Sequence, residues 1–178
     1  MLSELDNYLQ RIKDLRGQVR DLIAGLPAEA LNWRPIPPSN PPRERGGGED
    51  QPTNSLAVMA AHIAGAEHFW IAEVIGGRAS TRDRDAEFAV TVVDAVELVR
   101  RLEIVGVETR KVFAVLRPND LDGAREARGK TVAVRWGILH VIDHASLHLG
   151  HMQITYQLWK RGVSKSSPRW FERLPKGE

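Results

Sequence analysis

Six histidines and no cysteine define the chemistry open to this chain of 178 residues. Thiolate nucleophiles, redox dithiols, disulfides and zinc ribbons are excluded together, so any nucleophilic sulfur must come from outside. His140, His144, His148 and His151 recur at helical spacing. On a wheel of about 100° per residue they fall at roughly 0°, 40°, 80° and 20°, a single stripe. Two histidines four apart on one helix, joined by a third from a facing helix, form a geometry for a divalent cation, because side chains at i and i+4 stand one above the other. Neutral imidazoles suit Zn, Ni or Fe(II) and leave positions open for water or substrate. The competing reading is a hydrogen-bonded or pH-responsive cluster, in which each histidine needs its own buried partner.

The stripe requires a long helix, and the sequence provides one from about 131 to 160. Ile138, Leu139, Val141, Ile142, Leu147, Leu149, Met152 and Ile154 make it apolar nearly all round, the pattern of a helix central to its bundle. A facing helix from about 54 to 75, capped by Asn54 or Ser55 and ended by Gly76-Gly77, carries two histidines. Its apolar residues, from Leu56 to Val74, define an arc of about 160°. His62 falls inside that arc and His68 about 80° outside it, so His62 is expected to meet the stripe and His68 to face solvent. Glu67, at the margin of the arc, is a candidate either for orienting a ligand histidine or for an interhelical ion pair. Asp143 stands about 100° from His144 and leaves the ligand face.

Two further helices complete the set. Leu2, Leu5, Leu9, Ile12, Leu15, Val19, Leu22 and Leu26 mark an amphipathic helix over about 2–25, stopped by Gly25 and Pro27. A Val- and Leu-rich helix spans about 92–116 and closes at Arg117-Pro118. Between the first two helices, Arg34 to Thr53 is too rich in Pro and Gly for regular structure. Its Gly46-Gly47-Gly48 lacks the strand and the Gly-Lys-Ser/Thr ending of a phosphate cradle. The stretch from Arg78 to Glu87 is polar, Ala124 to Lys130 reads as a loop, and no alternating strand pattern appears. The expectation is an all-α four-helix bundle over 1–162 followed by a C-terminal tail, 163–178, that packs through Trp170 and Phe171 or stays loose.

Composition narrows the partners. With 25 Lys and Arg against 23 Asp and Glu the formal charge is +2, and no dense basic stripe stands out to track a phosphate backbone. Nucleic acid is therefore not an expected partner. No apolar run is long enough to span a bilayer, and acidic residues occupy the start where a secretory leader needs basic ones, so neither membrane insertion nor export is expected and the reading is cytoplasmic.

The run Thr53-Asn54-Ser55-Leu56-Ala57-Val58-Met59-Ala60-Ala61-His62, continuing to Phe69-Trp70, resembles one signature helix of the DinB/YfiT-like superfamily. Arg135-Trp136-Gly137-Ile138-Leu139-His140, continuing through His144, His148 and Gly150 to His151, resembles the other, and Leu31-Asn32-Trp33-Arg34-Pro35 also fits. The resemblance covers almost the whole chain to about Trp159. It implies up-down-down-up connectivity and a divalent metal held by His62, His144 and His148. Where many relatives have Arg and Gln around the glycine, this chain has Leu149 and His151. His140 and His151 then become pocket residues that steady a ligand or move a proton, and His151 is also open as a replacement or additional ligand.

Characterised members of that superfamily include transferases and isomerases that use a low-molecular-weight thiol such as bacillithiol, mycothiol or glutathione. The resemblance thus implies a small-molecule substrate, a thiol cosubstrate and a homodimer. Three uncharged ligands leave the full charge of the ion to favour an anionic fourth ligand, which suits thiol activation. A metal-dependent hydrolase is the nearest rival. The non-enzymatic alternative is a bundle with a structural metal, in which Trp33, Trp70, Trp136, Trp159 and Trp170 are core and interface aromatics.

Overall fold

The computed structural model describes residues 3–37 and 52–164; the glycine triplet and the Trp170-Phe171 tail lie outside the described residues. The described chain is mostly helical, with one two-stranded sheet. Helix α1, Glu4–Ile23, begins where the Ser3 side chain accepts from the Asp6 amide and the Asp6 carboxylate accepts from Ser3 in return, satisfying otherwise orphaned donors. A single-turn helix α2, Ala28–Asn32, follows. Helix α3, Leu56–Glu67, starts at Ser55, whose hydroxyl accepts from the Val58 amide.

Past Glu67 the helix does not stop but widens into a π-helical segment, His68–Ile75. The 54–75 stretch is thus one rod with two windings. Short α4, Arg84–Phe88, is capped by the Asp83 carboxylate. Helix α5, Val96–Phe113, and a 3-10 turn, Pro118–Asp122, come next. Strands β1, Ala124–Ala127, and β2, Lys130–Ala133, then lead directly into the long α6, Val134–Trp159.

The hairpin corrects the loop expected over 124–130. Ala124 pairs with Ala133 and Ala127 with Lys130 in antiparallel register, leaving Arg128-Gly129 as a two-residue turn with φ of 52° and 78°. Two positive φ values are the pattern of a type I′ turn, which usually advertises itself as Asn-Gly or Asp-Gly. Here an arginine holds the first position, and four-residue strands are too short for alternation to show.

Helix α1 packs against α5 and α6, and α3 packs against the same two, with α1 and α3 across the diagonal. Two core clusters lie along the bundle. One joins Leu15, Val19 and Ile23 of α1 to Leu56 and Ile63 of α3, Leu98 and Leu102 of α5, and Leu149 and Met152 of α6. The other joins Ile12, Ile71, Ile75, Phe113, Val134 and Ile138. From Ser55 to Ala64 every residue is buried, because α4 and the loop before it cover the side of α3 that a four-helix arrangement alone leaves open. Helix α3 is therefore the central one. The expectation for the histidine helix is corrected: α6 keeps an apolar face outward, with Leu147, Ile154 and Leu158 each more than half exposed.

One polar group crosses the core. The Arg16 guanidinium of α1 donates to the Glu67 carboxylate at the α-to-π junction, which also accepts from the Thr109 hydroxyl of α5 at 2.5 Å. All three residues are buried. Burial drives the Glu67 carboxyl above its ordinary range even though Arg16 and Thr109 pull the other way. Glu67 thus ties three helices together and does not orient a ligand histidine. Among the described residues no helix is long and apolar enough to cross a membrane.

Removing one partner of a buried ion pair strands the other. Glu67→Ala is expected to lower stability by about 3–5 kcal/mol in urea unfolding, whereas Arg16→Met combined with Glu67→Leu is expected to be near neutral. A double variant as damaged as the single would show that the pair itself carries stability.

Candidate metal centre

His62 lies on α3, buried along almost its whole length, and His144 and His148 on the face of α6 that packs against it. Their rings form a triangle with centroid separations of 4.8 Å for His62–His144, 5.1 Å for His62–His148 and 4.5 Å for His144–His148. One nitrogen from each lies within 4.8 Å of the others. The Nε2 atoms of His62 and His144 are 3.0 Å apart. Two imidazole nitrogens bound to one zinc at about 2.1 Å stand roughly 3.0–3.5 Å apart, so little movement is needed to share an ion.

The neighbours prepare these nitrogens as ligands. His62 Nδ1 lies 2.8 Å from Glu87 Oε2, and an ionised carboxylate can only accept, so the proton sits on Nδ1 and Nε2 presents its lone pair to the triangle. Burial alone raises the Glu87 carboxyl, but the hydrogen bonds from Arg82 and His62, with the Arg82 charge, outweigh it and hold the group below the ordinary carboxylate range. Arg82 grips Glu87 with two prongs, Nε to Oε1 at 2.6 Å and Nη2 to Oε2 at 2.8 Å. Burial, then the cost of placing a second charge beside the imidazoles of His148, His62 and His140 and near Arg82, lowers His144 to about 3. Burial, His62 and His151 lower His148 to about 4. Both are neutral at physiological pH. Among the described residues the buried Nδ1 of His148 has no hydrogen-bond partner, an unmet acceptor or donor that a purely hydrogen-bonded cluster should have satisfied. The donor set and its geometry fit a divalent ion.

His140 and His151 flank the triangle at different depths. The half-buried His140 ring stacks on Trp136 with centroids 5.0 Å apart and planes 5° apart, touches Trp70 edge-on, and sits 5.8 Å from His144. Burial lowers its pKa against the opposing pull of Asp143. His151 is exposed, its ring 5.7 Å from that of His148. Asp143 faces outward as expected.

His68 corrects a further expectation. It is half-buried, with Nδ1 2.6 Å from Glu108 and Nε2 3.0 Å from Thr81 and 3.2 Å from Glu73. It lies off the apolar arc as the wheel has it, but the chain after the helix folds back over that side. Glu73 captures that return through the Arg82 amide at 2.9 Å and the Ser80 hydroxyl at 3.1 Å, which sets the backbone from which Arg82 reaches Glu87.

Glu87 is the site residue that sequence reading misses. It lies on a helix of five residues inside a polar stretch, and nothing in its spacing links it to His62, 25 positions away. A faint signal exists in Gly65. A Cβ there would collide with the Glu87 carboxylate, so the glycine opens the side of α3 to it.

The chain belongs to the DinB superfamily, whose family model matches residues 11–152. Over 129 residues, 66% of this chain and 74% of the relative, it is 27% identical to the uncharacterized protein YkkA of Bacillus subtilis (strain 168). A DinB-like protein from Bacillus cereus ATCC 10987 shares the fold with a TM-score of 0.66 at 13% identity, covering 92% of this chain and 97% of that one. A conserved protein from Enterococcus faecalis does so at 0.64 and 12% identity, covering 89% and 98%.

Two outcomes follow from these contacts. Gly65→Ala should push Glu87 off His62 and weaken metal binding about 10- to 100-fold, the usual cost of losing such a partner, with helical circular dichroism unchanged; unchanged zinc affinity in a competition titration would refute the coupling. The Glu108 carboxyl, raised by burial but held low overall by His68 and Arg78, contributes stability that is fully present above the unfolded glutamate value of about 4.3 and lost as pH falls through its lower folded value. Urea midpoints measured down to that range should fall less steeply in Glu108→Gln than in the wild-type protein.

Proposed function

We propose that this protein is a metal-dependent enzyme of the bundle type, with one divalent ion, Zn, Ni or Fe, held by His62, His144 and His148, and that it transfers a low-molecular-weight thiol to a small electrophile. The observation that carries the reading is the convergence of three imidazoles, with a buried nitrogen on His148 that has no hydrogen-bond partner among the described residues. When bound, the ion supplies positive charge that favours the thiolate form of an incoming thiol at neutral pH. The chain's own residues do the rest. Glu87 fixes the His62 tautomer, and Arg82 keeps Glu87 ionised. Phe88, 4.8 Å from the His62 ring, shields that side from water. His140 and His151, neighbours of His144 and His148, are placed to hold or move a proton at the substrate. With no cysteine in the sequence, the sulfur has to be a cosubstrate.

The architecture assigned to this enzyme is a unit over 1–162 with up-down-down-up connectivity. It is supported by the helix ends that share a cluster, the start of α1 and α6 with the ends of the π segment and α5. A homodimer is supported by the apolar face of α6, where Leu147, Ile154 and Leu158 are exposed. Light scattering should give twice the 19.9 kDa chain mass; a monomer at high concentration removes this assignment.

The purified protein should contain about one divalent ion per chain by elemental analysis, and His62→Ala, His144→Ala or His148→Ala should each remove most of it, since losing one of three ligands breaks the chelate. Screening small thiols against a generic electrophile should then give a rate that collapses in His62→Ala and falls on the order of 10²-fold or less in His140→Ala and His151→Ala. Turnover with water and no thiol would identify a hydrolase, and firm metal binding with neither activity would identify a structural ion.

A further inference from the structure

Arg128 occupies an unfavourable position. It is the first residue of the β1–β2 turn, at φ 52°, where asparagine, aspartate or glycine would be easier. Its guanidinium lies over the Phe69 ring, 5.0 Å from the centroid, and among the described residues it makes no ion pair. Ala127, the residue before it, is buried against Phe69 and Val74, so the hairpin is docked on the π segment and the arginine is held in place.

From that point a chain of ring contacts runs from the buried Phe69 to the histidines. Phe69 meets Trp70 at 5.2 Å, Trp70 meets His140 at 5.0 Å, and His140 meets His144 at 5.8 Å. Trp136, stacked on His140, is half exposed. Arg82 also approaches Phe69, at 5.7 Å, but its charge is spent on Glu87. On the far side of His62, Arg84 lies 4.7 Å over Phe88 and likewise has no acidic partner among the described residues. A backbone strained to present an unpaired cation at the edge of an apolar surface is a feature that folding alone does not select.

We infer that Arg128 is an anion grip: the substrate is an apolar or aromatic body carrying a carboxylate or phosphate group, the anion held by Arg128 and the body laid along Trp70 and Trp136 toward the three histidines. The inference rests on the proposed reading of that centre for what happens at the reacting end, but the grip itself needs no ion. Guanidinium suits both anions because its planar donors match their paired oxygens.

Calorimetric titration of the full chain, metal-free and zinc-loaded, with phenylacetate, phenyl phosphate and the neutral phenylacetamide tests the grip. Wild-type protein should prefer at least one anion over the amide by about 10-fold or more. Which anion binds more tightly identifies the class. Arg128→Asn creates the favoured Asn-Gly turn, so it should melt a few degrees higher while its preference falls to within about 2-fold, and Arg128→Lys should keep part of it. A residue with only a structural role would not give opposite signs for stability and binding. Anion and amide binding alike, no binding of any probe, or a preference that survives Arg128→Asn would each overturn the grip. Normal metal content alongside any of these would leave the three-histidine reading standing, and a preserved anion preference in protein that takes up no metal would support the grip while removing that reading.

Discussion

The hydrogen bond between Glu87 and His62 is the contact on which the rest of the centre depends. It fastens a helix of five residues to the middle of the bundle, decides which imidazole nitrogen carries a proton, and leaves the other aimed at His144. An ionised carboxylate in this enclosed position would be costly alone. Arg82 offsets that cost with two short bonds, and Arg82 is in turn placed because Glu73 holds the backbone amide of the same residue. The order of support thus runs from the π segment through the returning loop to His62, and each link is a charged or backbone hydrogen bond of the stronger kind.

The long helices and the histidine stripe were legible in the sequence because both are periodic. A 3.6-residue repeat sorts His62 from His68 and aligns His144 with His148 without any knowledge of what surrounds them. What periodicity cannot show is what a loop brings back. His68 faces the loop that returns after the helix, and Glu87 reaches His62 from a stretch whose polar composition reads as surface. The hairpin was hidden for a related reason, since its turn uses Arg128 where the usual residue would have announced it. In each case the signal is a tertiary contact between segments that carry no shared pattern.

The distribution of burial also changes which helix organises the molecule. A sequence apolar nearly all round beside its histidines made α6 the expected centre, yet α3 is the one buried along almost its whole length, and α6 keeps Leu147, Ile154 and Leu158 outward. Apolar residues around a whole helix show that it has more than one neighbour to satisfy, not that all of them belong to the same chain. That leaves the histidine stripe at the boundary of the core, with His144 and His148 half-buried and His151 in solvent, a gradient of exposure along one face of one helix.

The widened winding over His68–Ile75 bears on descent as well as on shape. A π turn accommodates more residues per turn than the α-helix it interrupts, so a relative that keeps an α-helix throughout must lack a residue here to end at the same place. Alignment of two such chains has to open a gap within these eight positions. Its placement decides whether Phe69 and Trp70 are matched to aromatic counterparts or to residues on another side of the helix. Comparisons by sequence alone will therefore blur where the aromatic surface is built, even while the histidines on either side of the gap remain in register.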